Sequence, residues 1–249
     1  MQIAGYTIVA DYHTHTRHSH GSGSVLDNVE AAHRRGLQAI AITDHGPASL
    51  FHIGVSSLSA FDAIRQEVNA AQKMYPGIEV LLGAEANVIS EDGQLDIPLE
   101  LQEKLDIVLV GLHPWVRWRP ALQGASLVAE NLLGAWTGWG RRHVRERNTS
   151  AVVNAVLHNR VHAVTHPGYR LPIDTRALAR ACASTGCAME INAGHDHTSV
   201  EYIQIARKEG ARFLLSSDAH TPGQVGEVSK AAFLARAAGL KPWEIVNAR

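Results

Sequence analysis

Apolar runs recur along the chain, and several of them follow an amphipathic stretch that ends in a glycine. The repeat is clearest in residues 33–45, 75–85, 184–192 and 208–220. A glycine after a helix supplies the left-handed backbone that ends it, and uninterrupted apolar runs are typical of parallel strands buried on both faces. Helices that alternate with such strands predict an α/β fold with a parallel sheet.

Three more apolar runs raise the number of predicted strands to seven; they span residues 7–13, 105–113 and 161–166. Apolar residues at helical spacing predict helices over 26–35 and 56–74. Asp174 and Ser199 occupy the positions of N-caps for two further helices. The chain has 249 residues and no long linker, so a single domain over 1–249 is expected.

All seven predicted strands end in residue types that bind metals. They are Asp11, His13 and His15 at the end of the first strand, Asp44 and His45 at the second, Glu85 at the third, His113 at the fourth, His166 at the fifth, Glu190 and Asn192 at the sixth, and Asp218 and His220 at the seventh. A single histidine of this kind is more often a surface or capping residue. A parallel barrel, however, gathers all these strand ends on one face, where barrel enzymes build their sites. The joint pattern predicts a metal centre there.

His13 and His15 are two residues apart in a strand, so both imidazoles point the same way and can reach one ion. Asp218 and His220 repeat this spacing. Glu85 would be costly to bury alone, and a carboxylate that bridges two cations removes that cost. Imidazole and carboxylate ligands without thiolate suit Zn, Mn, Fe or Co. Two such ions at ~3.5–4 Å separation can share a hydroxide and hold a phosphoryl group in line for attack.

The chain carries 15 histidines, and its formal net charge is −1. This balance excludes a long-range field that would attract nucleic acid or a membrane. Cys182 and Cys187 are too few for a disulfide framework and are predicted to be reduced core residues. The first residues contain neither a basic leader nor a long apolar run, so a cytoplasmic protein without a membrane span is expected.

Six short motifs follow one another from Asp11 to His220: DYHTHT (11–16), TDHG (43–46), GAEAN (83–87), GLHP (111–114), THPG (165–168) and SSDAH (216–220). They resemble the motifs of the polymerase and histidinol phosphatase (PHP) family, and most closely those of its stand-alone bacterial phosphatases. The resemblance implies a distorted seven-stranded (β/α)7 TIM-like barrel of PHP type. It also implies three divalent metal ions (Zn, Mn or Fe) and phosphoesterase activity.

The resemblance implies in addition how the ligands are shared among the ions. One ion would be held by His13, His15, Glu85 and Asp218, a second by Glu85, His113 and His166, and a third by His45, His220 and one histidine of the first loop. Related proteins usually have that last ligand where this chain has Gly21. His20 is the preferred candidate and His18 the alternative, because the glycine-rich loop can absorb a shift of one residue.

Three carboxylates are assigned to the catalytic set: Asp44, Glu85 and Asp218. For Asp44 two roles are open, since it either orients a metal ligand or caps the segment that follows. Glu190 and Asn192 either line the pocket or have a purely structural role.

Arginines near the strand ends are candidates for binding a phosphate, because a guanidinium can hold it with two parallel hydrogen bonds. Arg17 and Arg170 are preferred over Arg117 and Arg119 because their positions adjoin the predicted ligands. An insertion at about 115–150 holds four of the five tryptophans: Trp115, Trp118, Trp136 and Trp139. It is either a lid or platform that stacks a nucleobase, or a helical insertion packed on the barrel. The second interpretation is favoured, because its run of arginines is typical of a solvated face.

The predicted function is a metal-dependent phosphoric ester hydrolase, namely a phosphomonoesterase that uses a hydroxide bridging ions of a trinuclear site. Its substrate would be a small-molecule phosphoester or a nucleotide, and nucleic acid is not favoured. The alternatives are a phosphodiesterase or exonuclease acting on nucleotides or oligonucleotides, an amidohydrolase that cleaves C–N bonds, and a non-catalytic metal-stabilised regulatory module. No lysine stands at a strand end, which disfavours the amidohydrolase. Nearly every motif ligand is present, which disfavours the regulatory module.

We predict that Arg170→Ala weakens substrate binding more than metal binding, because the guanidinium would contact the phosphate and no ion. The KM for the best phosphoester should rise about tenfold, with little change in metal content. Steady-state kinetics and metal analysis of the purified variant measure the two effects. An unchanged KM would contradict this role for Arg170.

Overall fold

Seven of the apolar segments form parallel strands that pair side by side in a computed structural model of the protein. The structure describes residues 1–122, 125–127, 129–131 and 140–249. The strands are β1 (Gln2–Ile3), β2 (Tyr6–Thr7), β3 (Ala10–Asp11), β4 (Ala39–Ile42), β5 (Glu79–Asn87), β6 (Ile107–Gly111), β7 (Ala163–Val164), β8 (Ala188–Asn192) and β9 (Arg212–Ser216). The helices are α1 (Val25–Arg34), α2 (Ala60–Met74), α3 (Leu99–Gln102), α4 (Arg141–His158), α5 (Thr175–Thr185), α6 (Val200–Lys208) and α7 (Ser229–Ala237). Two short 3-10 helices span Pro222–Gln224 and Pro242–Glu244.

Strands β3 to β9 pair in the order in which they occur along the chain, and every neighbouring pair is parallel. A helix lies in the crossover between each strand and the next. The sheet curves into a nearly closed barrel, which confirms the predicted seven-stranded TIM-like architecture. β1 and β2 form a separate antiparallel pair before the barrel.

Local sequence signals set the ends of two barrel helices. The Asp174 carboxylate accepts a hydrogen bond from the backbone N–H of Ala177 (3.0 Å), which begins α5. Ser199 Oγ accepts one from Tyr202 (3.2 Å), which begins α6. Gly186 follows α5 with a φ of 78°, a backbone conformation that glycine adopts without strain. Both capping predictions are confirmed.

The interior of the barrel has an apolar floor and a polar upper layer, because side chains alternate between the two faces of each strand. Ala188 of β8 belongs to a small buried apolar cluster that includes Leu109 of β6 and Leu214 of β9. The next residue on the same face of β8 is Glu190, which is also buried but contacts polar groups. The height of a residue in its strand therefore decides whether it joins the floor or the polar layer.

The junction between β3 and β9, called the seam below, is closed at its upper end by backbone hydrogen bonds. The N–H of His15 donates to the carbonyl oxygen of Ala219 (2.8 Å), and the N–H of Ala219 donates to the carbonyl oxygen of His13 (3.2 Å). The residues that follow β3 and β9 are thus held side by side.

Lower in the barrel, the Asn247 side chain fills the seam. Its amide group donates to the carbonyl oxygens of Ala10 (2.8 Å) in β3 and Leu215 (2.7 Å) in β9, and its oxygen accepts from the N–H of Leu215 (3.1 Å). Asn247 is fully buried. One side chain therefore makes hydrogen bonds that a direct strand pair would otherwise supply.

The predicted insertion contains residues in different environments. Trp118 is buried, whereas Trp115 is 44% exposed; Trp136 and Trp139 lie outside the described residues. From Arg141 onward the chain forms α4, which packs against α5. The limits of the insertion stay a prediction. In the described parts of the chain, no helix combines the length and the apolar character that crossing a bilayer requires.

We expect Asn247→Leu to lower the free energy of unfolding by about 2–4 kcal/mol, because it leaves buried backbone groups of Ala10 and Leu215 without partners. Urea unfolding followed by circular dichroism measures the effect. The matched control is Asn154→Leu on α4, where the half-buried amide makes one hydrogen bond, to the Glu91 carbonyl (2.9 Å). Equal losses in both variants would contradict a special role for Asn247 in the seam.

Candidate metal centre

Nine predicted ligands lie together at the carboxyl ends of the barrel strands. They are His13, His15, His20, His45, Glu85, His113, His166, Asp218 and His220. Donor atoms within 4.8 Å of one another form three overlapping groups: His15, His20, His45 and His220; His13, His15 and Asp218; and His45, Glu85 and His113. His15 thus adjoins the first-loop group as well as His13 and Asp218, whereas the family resemblance implies a place only in the set with His13, Glu85 and Asp218.

The Glu85 carboxylate lies at the centre of these residues, and each of its oxygens has two imidazole nitrogens within 3.3 Å. Oε2 lies 2.9 Å from Nδ1 of His45 and 3.3 Å from Nε2 of His13. Oε1 lies 2.9 Å from Nε2 of His166 and 3.3 Å from Nε2 of His113. Glu85 is fully buried. A carboxylate in this position can contact ions on two sides.

Asp218 uses its two oxygens differently. Oδ1 faces the imidazoles of His13 (3.4 Å) and His15 (3.3 Å). Oδ2 accepts a hydrogen bond from the Asn192 amide (3.1 Å) and lies 3.2 Å from Nε2 of His195. Because Oδ2 has these two polar neighbours, the carboxylate is held with Oδ1 directed toward the predicted ligands.

The first loop brings His20, and not His18, to the centre. Nε2 of His20 lies 2.6 Å from Nε2 of His220, and its ring stacks on that of His45 with 4.9 Å between centroids. His18 instead contacts Glu67 of α2 at 2.9 Å. The geometry therefore supports the preference for His20, while its role as a ligand stays a prediction.

The glycine at position 21 explains why His20 supplies the imidazole next to His220. A Cβ at Gly21 would lie 2.6 Å from the carbonyl oxygen of His15, which is closer than side chains approach the backbone. Any residue larger than glycine would therefore require this loop to move. The imidazole next to His220 comes from the preceding position, His20.

Unpartnered buried atoms test whether these residues suit metal ions. Among the described residues, Nδ1 of His15, Nδ1 of His45 and Oε2 of Glu85 are buried without a hydrogen bond. The last two face each other at 2.9 Å without hydrogen-bond geometry. Leaving buried polar atoms unpaired costs free energy. Bound cations would satisfy these lone pairs, so the donor set fits metal ions.

The pKa shifts favour the protonation states that coordinate metals. Burial alone would raise the pKa of Glu85, but the neighbouring His45 and His13 hold it well below the usual value. Burial lowers the pKa of His15 well below its usual value and that of His113 to about 4. At neutral pH the carboxylate is therefore an anion and both imidazoles are neutral, which are the forms that bind metals.

His13 and His166 differ from these two imidazoles, because neighbouring carboxylates raise the pKa of both. Burial would lower the pKa of His13, but the carboxylates of Asp218, Glu190 and Glu85 outweigh burial and raise it well above the usual value. These carboxylates thus favour a positive charge at Nε2 of His13. A metal ion would provide that charge in place of a proton.

Further polar residues hold the predicted ligands in position. Oε1 of Glu190 lies 2.6 Å from Nδ1 of His13, and Oε2 accepts the backbone N–H of His166 (2.5 Å). Oδ1 of Asn87 lies 2.7 Å from Nδ1 of His113. Such contacts fix the ring orientation and leave Nε2 for the ion. Glu190, whose role the sequence left open, therefore contacts two predicted ligands from behind.

Asp44 contacts the first loop. Its carboxylate accepts hydrogen bonds from the N–H (2.7 Å) and hydroxyl (2.6 Å) of Thr16 and from the hydroxyl of Ser19 (2.5 Å). These bonds support the interpretation that Asp44 orients ligands, and its place in the catalytic set stays a prediction. Asp11 likewise accepts from the N–H groups of Gly226 (2.7 Å) and Ser217 (3.3 Å), so it joins loops beside the centre.

Two predicted ligands have a left-handed backbone, with φ of 26° at His166 and 55° at Asp218. Arg170 has a φ of 60°. This conformation costs side-chain-bearing residues about 1–2 kcal/mol and is concentrated at functional sites. The strain at three positions beside one centre is consistent with selection for geometry over stability.

Sequence reasoning missed His195 and Tyr169. Their rings stack with 3.9 Å between centroids and 12° between planes, and Nε2 of His195 lies 3.2 Å from Asp218. Lys230 of α7 holds this loop by donating to the His195 carbonyl oxygen (2.7 Å) and by pairing with Asp196. The signal in the sequence was the motif HDH at 195–197, soon after the end of the sixth strand.

A cavity of about 200 Å³ opens above the centre. Its lining includes His45, Glu85, His113, Trp115, Tyr169 and Arg170. Arg17 is exposed and does not belong to the described lining. Of the two preferred arginines, only Arg170 is thus positioned to meet a molecule in this cavity.

The motifs, the barrel and the ligand cluster agree with a family comparison: the PHP domain model matches residues 11–217. The chain belongs to the PHP domain family. A probable phosphatase of Thermoanaerobacter sp. strain X514 is 30% identical over an alignment of 250 positions, which covers 96% of this chain and 90% of the relative. A probable phosphatase of Syntrophotalea carbinolica is 31% identical over 247 residues, with 95% and 90% covered.

Solved structures agree on the fold. The histidinol phosphate phosphatase of Lactococcus lactis, solved with Zn, L-histidinol and phosphate, superposes with a TM-score of 0.64 at 17% identity and 94% coverage of both chains. This likeness shows the barrel. The predicted family and fold are confirmed, and the chain is a metal-dependent phosphoesterase of the PHP family.

We predict that His20→Gln lowers the number of bound ions by one, because it removes an imidazole from the group around His220. His18→Gln is the matched control, since it changes a neighbouring histidine that contacts Glu67. Metal analysis after dialysis against metal-free buffer measures both. Loss of an ion in His18→Gln but not in His20→Gln would reverse the assignment.

Proposed function

We propose that the protein is a phosphomonoesterase that acts on a small-molecule phosphoester or a nucleotide with three divalent ions (Zn, Mn or Fe). The observation that carries the proposal is the Glu85 carboxylate, whose two oxygens each face two imidazoles. A carboxylate so surrounded suits a bridge between two cations. The donors of His15, His20, His45 and His220 would hold a third ion.

When bound, the ions would supply a hydroxide that they share and would neutralise the charge that develops on the phosphoryl group. The protein's own side chains would then bind and orient the substrate. Arg170 borders the cavity and would hold phosphate oxygens. Asp44 would act by fixing the first loop through Thr16 and Ser19. The stacked pair of Tyr169 and His195 would form a rigid wall beside the phosphate.

The size of the cavity supports a small substrate. About 200 Å³ suits a phosphate with a compact leaving group rather than a long polymer held inside the barrel. The Lactococcus lactis protein of the same fold was solved with Zn, L-histidinol and phosphate. That combination supports zinc as a suitable ion and an alcohol as a suitable leaving group for this barrel.

A second candidate function is a phosphodiesterase or exonuclease. The observation in its favour is an exposed aromatic pair at the rim, in which Phe51 (73% exposed) and Trp115 (44% exposed) meet edge to face with 6.0 Å between centroids. Exposed aromatic side chains can stack on nucleobases. Trp118 is buried in the core and would not contribute to such a platform.

The test is a panel of phosphomonoesters and phosphodiesters, assayed on purified protein of measured metal content. We expect monoester hydrolysis that chelation removes and that Zn, Mn or Fe restores. Glu85→Gln should lower kcat about 10³-fold or more, because it weakens the central anionic ligand. Glu79→Gln is the matched control, since it makes the same change at the exposed lower end of β5.

The panel also separates the alternatives. Faster cleavage of diesters than of monoesters would favour the exonuclease. No turnover of any ester by protein with bound metals would favour a regulatory module. Full activity of Glu85→Gln would contradict the proposed site.

A further inference from the structure

Arg170 borders a second hollow besides the metal cavity. This outer hollow, called the basic groove below, has a volume of about 590 Å³, and its lining includes Arg145, Gly168, Arg170, Asp174 and Arg176. Arg170 also lines the metal cavity. A molecule that reaches from the predicted ligands past Arg170 would therefore enter the basic groove.

The positive charge of the basic groove is not fully compensated. Arg176 pairs with Glu209, which directly follows α6. Among the described residues, Arg145 and Arg170 have no carboxylate partner. The one carboxylate in the described lining, Asp174, accepts the Ala177 N–H as the cap of α5. Two exposed guanidinium groups therefore remain for an external anion, although the whole chain has a net charge of −1.

Arg145 and Arg170 also line an adjoining hollow. They come from different elements, since Arg145 lies on α4 and Arg170 follows β7. The Arg170 guanidinium lies over the Tyr169 ring at 5.0 Å, and Tyr169 is itself stacked on His195. These contacts, and the left-handed backbone of Arg170, give that side chain a defined position at the boundary of the two hollows.

We propose that the substrate carries a second phosphate, which Arg145 binds in the basic groove while the scissile phosphate lies at the metal centre and Arg170, at the boundary of the two hollows, contacts both phosphates. This inference rests on the proposed phosphomonoesterase and names its substrate class as a bisphosphate. Guanidinium groups suit this role, because their planar donors match phosphate oxygens in pairs. A second phosphate would also explain why this surface is basic, since the ions of the centre would already neutralise the scissile phosphate.

The experiment uses matched pairs of α,ω-alkanediol monophosphates and bisphosphates with two to six carbons, on metal-loaded full-length protein. We expect the KM of at least one bisphosphate to be about tenfold lower than that of its monophosphate. Arg145→Gln should bring this ratio close to one. Arg34→Gln on α1, which removes an exposed charge paired with Glu30, should keep the ratio.

Three results would overturn the inference. A ratio near one for every chain length in the unmodified protein shows that no second phosphate is recognised. A ratio that Arg145→Gln leaves unchanged excludes the basic groove. Tighter monophosphate binding when inorganic phosphate is added, lost in Arg145→Gln, identifies the groove as a site for a separate effector anion.

Binding measurements keep this test distinct from that of the proposed function. If no ester is hydrolysed, calorimetry of the bisphosphates with the unmodified protein and Arg145→Gln still measures the groove. Binding that Arg145→Gln weakens about tenfold would support the groove although the phosphomonoesterase fails. Equal binding by both proteins would overturn the groove itself.

Discussion

The fully buried carboxylate of Glu85 is the interaction on which the whole centre depends. An isolated anion in that place would be strongly destabilising, and four imidazoles within 3.3 Å of its oxygens change this balance. Each oxygen contacts two imidazoles that follow different strands. The relative heights and directions of those strands must therefore suit one side chain. The apolar floor below Glu85 and the cavity above it follow from the same arrangement, since the polar layer can exist only where ions or neighbouring charges compensate it.

Most of the supporting structure exists to keep the ligands in one geometry. Glu190 and Asn87 contact the rear nitrogens of His13 and His113, while Asn192 and His195 contact one oxygen of Asp218. These residues are not among the predicted ligands, yet their contacts decide which atom of each ligand is free. The strained backbone at His166 and Asp218 indicates the same priority, because a less accurate site could have avoided that cost.

Periodicity and strand-end positions were enough to predict seven parallel strands with helices between them and the polar residues at their ends, because these features recur regularly along the chain. The motif resemblance added the type of barrel and the family. The contact between His195 and Asp218 could not be predicted in this way, since it depends on how two loops meet in space. The same holds for Asn247, which looks like an ordinary polar residue in sequence but hydrogen-bonds to two strands of the barrel. A physical reason to prefer His20 over His18 came only from the backbone around Gly21, where a side chain would collide with the His15 carbonyl oxygen.

Because the metal centre lies across the seam, metal binding and barrel closure are expected to be cooperative. His13 and His15 lie on one side of the seam, and Asp218 and His220 lie on the other. In the described part of the chain, backbone hydrogen bonds, the Asn247 side chain and the contact of Asp11 with Ser217 join the two sides. Ions shared by these residues would join two parts of the chain that are far apart in sequence, in the manner of a crosslink. Metal binding and barrel closure would then be thermodynamically linked, so that each stabilises the other. The seam would thus be strongest in the protein that has bound its metal ions.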